Sequence, residues 1–141
     1  MICLISSTLL FSCDVRRKDK VADDTMQKME QALKDSTTVA LIDSAYNFGT
    51  ITEGAKVEYN FRFKNTGNKP LVINNAHASC GCTIPEKPEK PVMPGETSFI
   101  KVEFNSTGKS GHQEKSIFVS SNVRPAFPDL VLSGEVKRLA K

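Results

Sequence analysis

From Val57 to Lys64 apolar and polar residues alternate without a break: Val57, Tyr59, Phe61 and Phe63 against Glu58, Asn60, Arg62 and Lys64. A period of two turns the first set toward a core and the second toward water, which predicts a half-buried strand. Asn65-Thr66-Gly67-Asn68-Lys69-Pro70 follows with the residue types of a turn. Leu71 and Ile73 open a second strand. Ser98, Ile100, Val102 and Phe104 alternate in a third, announced by Pro94-Gly95. Ile117 and Val119 mark a strand that ends at Ser121-Asn122, and Leu130, Leu132 and Val136 mark a last one, in which Gly134 is expected at a bulge. Val39 to Ile42 and Phe48 to Ile51 read as an opening strand and its continuation.

About seven short strands, with turn signals between them and no helical period after Thr38, predict an all-β chain: an immunoglobulin-like antiparallel β-sandwich over residues 39–141. Antibody-type sandwiches are pinned by a core Trp and an inter-sheet disulfide; this chain has no Trp and no cysteines spaced to bridge two sheets. Apolar packing must hold it instead, chiefly Phe61, Phe63, Ile73, Ile100, Val102, Phe104, Ile117, Val119 and Leu132.

Ahead of the sandwich the pattern changes twice. Residues 1–12 are uncharged and mostly apolar, the length of a secretory h-region and too short to span a bilayer. They close on Leu10-Phe11-Ser12-Cys13, which resembles a bacterial lipobox and makes Cys13 the expected lipidated residue. No Lys or Arg precedes the run, as would follow if the start codon lay upstream. Residues 13–38 are polar and charged, with Met26, Met29 and Leu33 at helical spacing behind Asp23 and Asp24, so they read as a partly helical tether. Several acyl chains on Cys13 would give stable attachment and place the body outside the cytoplasm, on a cell-envelope membrane. Cys3 would leave with the signal and Cys13 would be capped, which reduces the chain's four cysteines to Cys80 and Cys82.

Charge excludes more than it suggests. A net +3 from 19 basic and 16 acidic residues gives no support to nucleic acid as a partner. With only Tyr46 and Tyr59 as polar aromatics, stacking platforms for sugars or single strands are scarce. The spacing Phe48-Gly49-x-Ile51-x-x-Gly54, Phe61-x-Phe63-x-Asn65-x-Gly67-x-x-Pro70-Leu71-x-Ile73, Ser79-Cys80-Gly81-Cys82-Thr83, Pro94-Gly95 and Ser121-Asn122 resembles bacterial domain-of-unknown-function family fifteen-seventy-three over about residues 45 to 136. That resemblance implies a domain similar to those of hydin and major sperm protein. It also implies a secreted or lipid-anchored envelope protein of Gram-negative bacteria, with no established activity.

The Ser79-Cys80-Gly81-Cys82-Thr83 segment is where chemistry would run. On an extended strand, Cα atoms two residues apart lie about 6.6 Å from each other, near the upper limit for a disulfide, so a Cys80–Cys82 bond needs a tightened backbone at Gly81. Such a pair would be open to thiol exchange. A second reading is a metal site on His77, Cys80 and Cys82, either soft Cu(I) helped by Met93 or zinc completed by His112. The preferred reading is structural: two small side chains and a glycine shaping a bend before the extended Pro85–Pro91 loop. Gly108-Lys109-Ser110 lacks the earlier glycine and the helix of a phosphate loop, and no Ser/His/Asp set can be assembled from two histidines. The sequence thus predicts a non-enzymatic binding or structural module without a cofactor, attached to the membrane and engaging a protein partner, by strand addition at a sheet edge. A thiol-redox or copper protein centred on Cys80 and Cys82 is the alternative.

Overall fold

The computed structural model describes residues 34–140. The expected tether helix, the signal segment and Cys13 lie outside the described residues.

Among the described residues, eight strands form two four-stranded sheets: β1 (Val39–Leu41), β2 (Ala45–Thr52), β3 (Lys56–Asn65), β4 (Ile73–Ala78), β5 (Thr83–Glu86), β6 (Thr97–Asn105), β7 (Gly111–Ser121) and β8 (Leu130–Lys137). One sheet has the order β1-β3-β6-β5 and the other β2-β8-β7-β4. The alternation read from the sequence is what packs them. Phe61 lies opposite Ile100, and Val57 opposite Phe104, on adjacent strands of the first sheet. Phe61, Phe63, Ile100, Val102, Phe104, Ile117 and Leu132 are almost wholly buried between the sheets. Leu71, Val92, Val123, Phe127, Leu130 and Val136 join them, whereas Val119 packs only partly buried against this core. Ring contacts take the place of a disulfide pin: Tyr46 stacks on Tyr59 with centroids 3.8 Å apart, and Phe127 meets Phe63 edge-on at 5.4 Å.

Three expectations need correction. Residues 39–42 and 48–51 are not one strand continued, because β1 and β2 belong to different sheets. The crossing is built by polar contacts. Ile42 and Asp43 both donate their N–H to the Arg62 carbonyl, and the Asp43 carboxylate takes the Arg62 side chain through Nε at 2.7 Å and Nη2 at 3.1 Å. Those hydrogen bonds, ahead of any other cause, hold the Asp43 carboxyl below the usual carboxylate range. Ser44 then accepts from Val131 N–H and hands the chain to β8. Here lies the second correction: β2 runs parallel to β8, while the other strand pairs are antiparallel.

Third, the bulge is opposite Gly134 and not at it. Gly134 pairs regularly with Gln113, whereas β2 passes from Asn47↔Ser133 to Thr50↔Glu135 with two residues, Phe48 and Gly49, facing one. Gly49 takes φ +70°, and its N–H is fixed by Asn47 Oδ1 at 2.7 Å. The bulge lays the Phe48 ring over Gly134, where a Cβ would overlap it.

At one end of the sandwich two asparagines tie separate turns together. Asn65, fully buried, accepts from Thr37 Oγ1 at 2.8 Å and Gly67 N at 3.1 Å, and donates to the carbonyls of Lys69 and Val92 at 2.7 and 2.9 Å. Asn122 accepts from Val72 N at 2.8 Å and donates to the carbonyls of Asp35 and Pro70 at 2.8 and 2.9 Å. Gly95 N–H donates to the Asn65 carbonyl at 2.8 Å. The scattered residues Asn65, Gly67, Pro70, Gly95 and Asn122 therefore converge on one polar clasp.

Candidate functional site

The chain leaves the second sheet at Ala78 and enters the first at Thr83, so Ser79-Cys80-Gly81-Cys82 is the corner that joins the two layers. The corner is a tight turn: Thr83 N–H donates to the Cys80 carbonyl at 3.3 Å. Both of its ends are tied to their sheets, Ser79 N–H to the Ser116 carbonyl and Asn105 N–H to the Cys82 carbonyl, each at 2.9 Å. The tightening brings the Cα atoms of Cys80 and Cys82 to 5.4 Å, and the two sulfurs form a disulfide. Thr83 Oγ1 sits 3.8 Å from Cys80 Sγ.

This bond does little for stability. Closing so short a loop restricts the unfolded chain by only about 1.5 kcal/mol, against about 3 for a 15-residue loop. It links neighbours in one turn that hydrogen bonds already define, and does not staple sheet to sheet. Gly81 is exposed, and Cys82 lines a groove of about 420 Å³ with Lys56, Ile84, Glu103, Asn105, Thr107 and Lys109. Lys56 pairs with Glu103 at 3.0 Å. Ile84, 58% exposed, gives the groove an apolar wall.

The other candidates do not gather. His77 projects beside Phe118, ring centroids 5.2 Å apart, and His112 stands 4.0 Å from Glu135 at the far end of β7. Among the described residues, no group of three or more His, Cys, Asp and Glu is placed to hold a metal ion. The Pro-rich segment is not wholly loop: Thr83–Glu86 pairs with β6, and Lys87 and Pro88 border a second groove beside Phe99 and Lys101. Sequence reasoning missed β5 because Pro85 demotes a strand assignment; an edge position tolerates it.

Among the described residues the sheets present four edges, β1, β5, β2 and β4. Three carry features that discourage pairing: β1 is three residues long, β5 contains Pro85, and β2 is broken by its bulge. β4, Ile-Asn-Asn-Ala-His-Ala, has neither charge nor proline, and after an irregularity at Ile73–Asn75 its register is regular to Ala78. The bond from Ser79 N–H to Ser116 O sets the phase of this antiparallel ladder. Asn75 and His77 point their backbone groups at β7, and Ala76 and Ala78 point theirs away from it.

The family described as "Protein of unknown function (DUF1573)" matches residues 39–136. Among solved structures, a protein of unknown function from Porphyromonas gingivalis W83 is similar at 12% identity and TM-score 0.62, over 72% of this chain and 47% of that one. The ASH / PapD-like domain 7 of human CEP192 is similar at 11% identity and TM-score 0.50, over 99% of this chain and all of that domain (100%). The YadV chaperone is similar at 16% identity and TM-score 0.50, over 73% of this chain and 54% of its own. This chain thus spans about half the length of the Porphyromonas protein, 47%. No curated protein matches it by sequence. At these identities the likeness is one of fold, immunoglobulin-like and PapD-like.

Proposed function

The chain belongs to the DUF1573 family, and from that premise we propose that it is a non-enzymatic binding module of the cell envelope, held to a membrane by lipid on Cys13, which takes a partner's strand onto the β4 edge. The observation that carries this reading is the β4 edge itself: outward-facing N–H and C=O groups at Ala76 and Ala78, with no charge or proline to repel a strand. A chaperone shares the sandwich fold, and small side chains leave room for an added strand. The Leu10-Phe11-Ser12-Cys13 segment supports the anchor, and the Cys80–Cys82 disulfide fits an oxidising compartment.

Ala76→Pro tests the edge. It removes an N–H that the domain's own ladder does not use, so the fold should persist. Partner recovered from solubilised membranes should fall by about tenfold or more, from the lost main-chain hydrogen bond at about 1 kcal/mol together with the ring's obstruction of the incoming strand. In the wild-type complex, hydrogen exchange at Ala76 and Ala78 should slow. A partner that binds the proline variant undiminished, with Ala76 still exchanging freely, removes strand addition from consideration. The anchor is checked separately by the intact mass of envelope-derived protein. A mass starting at Cys13 plus acyl chains is expected; an unacylated Cys13 would sink that part of the proposal.

A further inference from the structure

We infer that the Cys80–Cys82 disulfide is an electrophile for thiol–disulfide exchange, and that the groove beside it seats an acidic, apolar segment of polypeptide bearing the attacking thiol. The bond closes a turn that hydrogen bonds from Thr83 N–H, Ser79 N–H and Asn105 N–H already shape, so the fold does not depend on it. It stands at an exposed glycine. One of its two residues, Cys82, packs part-buried against the core and also lines the groove of about 420 Å³, whose other residues supply what an incoming thiolate needs. Lys109 attracts the anion and neighbouring carboxylates, Ile84 offers apolar contact, and Asn105 and Thr107 offer polar contacts. Glu103 is the acidic residue of the groove, and Lys56 already answers it at 3.0 Å.

The other cysteine is set up to leave. Thr83 Oγ1, 3.8 Å from Cys80 Sγ, can turn its hydroxyl proton toward that sulfur once it carries charge. The exchange then runs in two steps. A substrate thiolate attacks Cys82 Sγ; the bond between the two sulfurs breaks, its electron pair goes to Cys80 Sγ, and a new S–S bond joins substrate to Cys82. A second thiol of the same substrate loses its proton to solvent, attacks the substrate sulfur of that mixed disulfide and expels Cys82 as a thiolate. The substrate dithiol is oxidised to a disulfide, and Cys80 and Cys82 take up two electrons and two solvent protons to become thiols. The oxidant is the Cys80–Cys82 bond, so the exchange is stoichiometric and each substrate oxidised consumes one disulfide.

The first step is tested with the full chain and two synthetic one-cysteine peptides, one carrying Leu-Cys-Asp-Glu and the other Leu-Cys-Lys-Lys. Rates are normalised to each peptide's thiolate fraction, and the reaction is quenched with an alkylating agent for mass mapping. The acidic peptide should react about tenfold or more faster than the basic one, with peptide on Cys82 and the alkyl group on Cys80. Lys109→Glu should bring the two rates together or reverse them. Because both peptides meet the same protein, poor folding of a variant cannot create a preference in the wild type. Equal wild-type rates, attachment mainly at Cys80, or an unchanged preference in Lys109→Glu would each overturn the inference.

Discussion

Asn65→Ala is expected to lower the free energy of unfolding by about 3–5 kcal/mol, a large part of the 5–15 kcal/mol that holds a typical domain. The side chain it removes is completely buried and uses all four of its hydrogen-bonding positions. Alanine would strand the Thr37 hydroxyl and the Val92 carbonyl, whose bonds to Asn65 are buried, at about 1–3 kcal/mol each, while the Gly67 N–H and Lys69 carbonyl, in part-buried bonds, would lose their partner nearer to solvent. Asn65→Asp is expected to do no better, since its second oxygen would face the Lys69 and Val92 carbonyls with no proton to give. The site cannot relax freely, for Gly67 lies so close to Thr37 that a Cβ would overlap its hydroxyl. Urea unfolding checks this: the midpoint should drop while the slope stays constant. A change below about 1 kcal/mol would mean that water reaches the clasp and replaces the amide.

The second large effect is expected at Gly134. Gly134→Ala inserts a methyl where the Phe48 ring lies, and a filled core resists such overpacking by about 1–3 kcal/mol. The ring has little freedom to retreat, because it stacks on Phe104 at 5.5 Å and is positioned by the Asn47–Gly49 turn. Phe48→Leu alone should cost about 1–2 kcal/mol through lost packing, yet combined with Gly134→Ala the total should fall short of the sum by about 1 kcal/mol or more. Strictly additive losses in that double-mutant cycle would show that the two positions do not meet.

Both sites contain residues that the sequence pattern singled out without explaining them. Phe48-Gly49 and Gly134 lie far apart in the chain, and the strand pattern suggests a bulge near the glycine. It cannot reveal that the extra residue belongs to the partner strand, because a bulge is a mismatch between two strands. Asn65, Gly67, Pro70, Gly95 and Asn122 each look like separate turn residues. That they form one clasp depends on which turns fold to the same end of the sandwich. The two cysteines were legible as a pair, and the need for a turn at Gly81 followed from strand spacing. The groove beside them was not legible, since Lys56, Glu103 and Lys109 reach it from β3, β6 and the turn after β6.

Sequence by itself determined the long alternating strands, their inward faces and the class of fold, though not β5 or the break between β1 and β2, because alternation is a local property and each apolar face must be covered. Tertiary structure alone decided that β2 would leave β1 and run parallel to β8. It also decided that β4 would be an edge, and that the Cys80–Cys82 corner would stand beside a groove lined by Lys56, Glu103 and Lys109. Those outcomes turn on register and neighbour choice between strands tens of residues apart. There the deciding interactions, such as Asp43 on Arg62 or Phe48 over Gly134, are pairwise and leave no periodic trace in either partner.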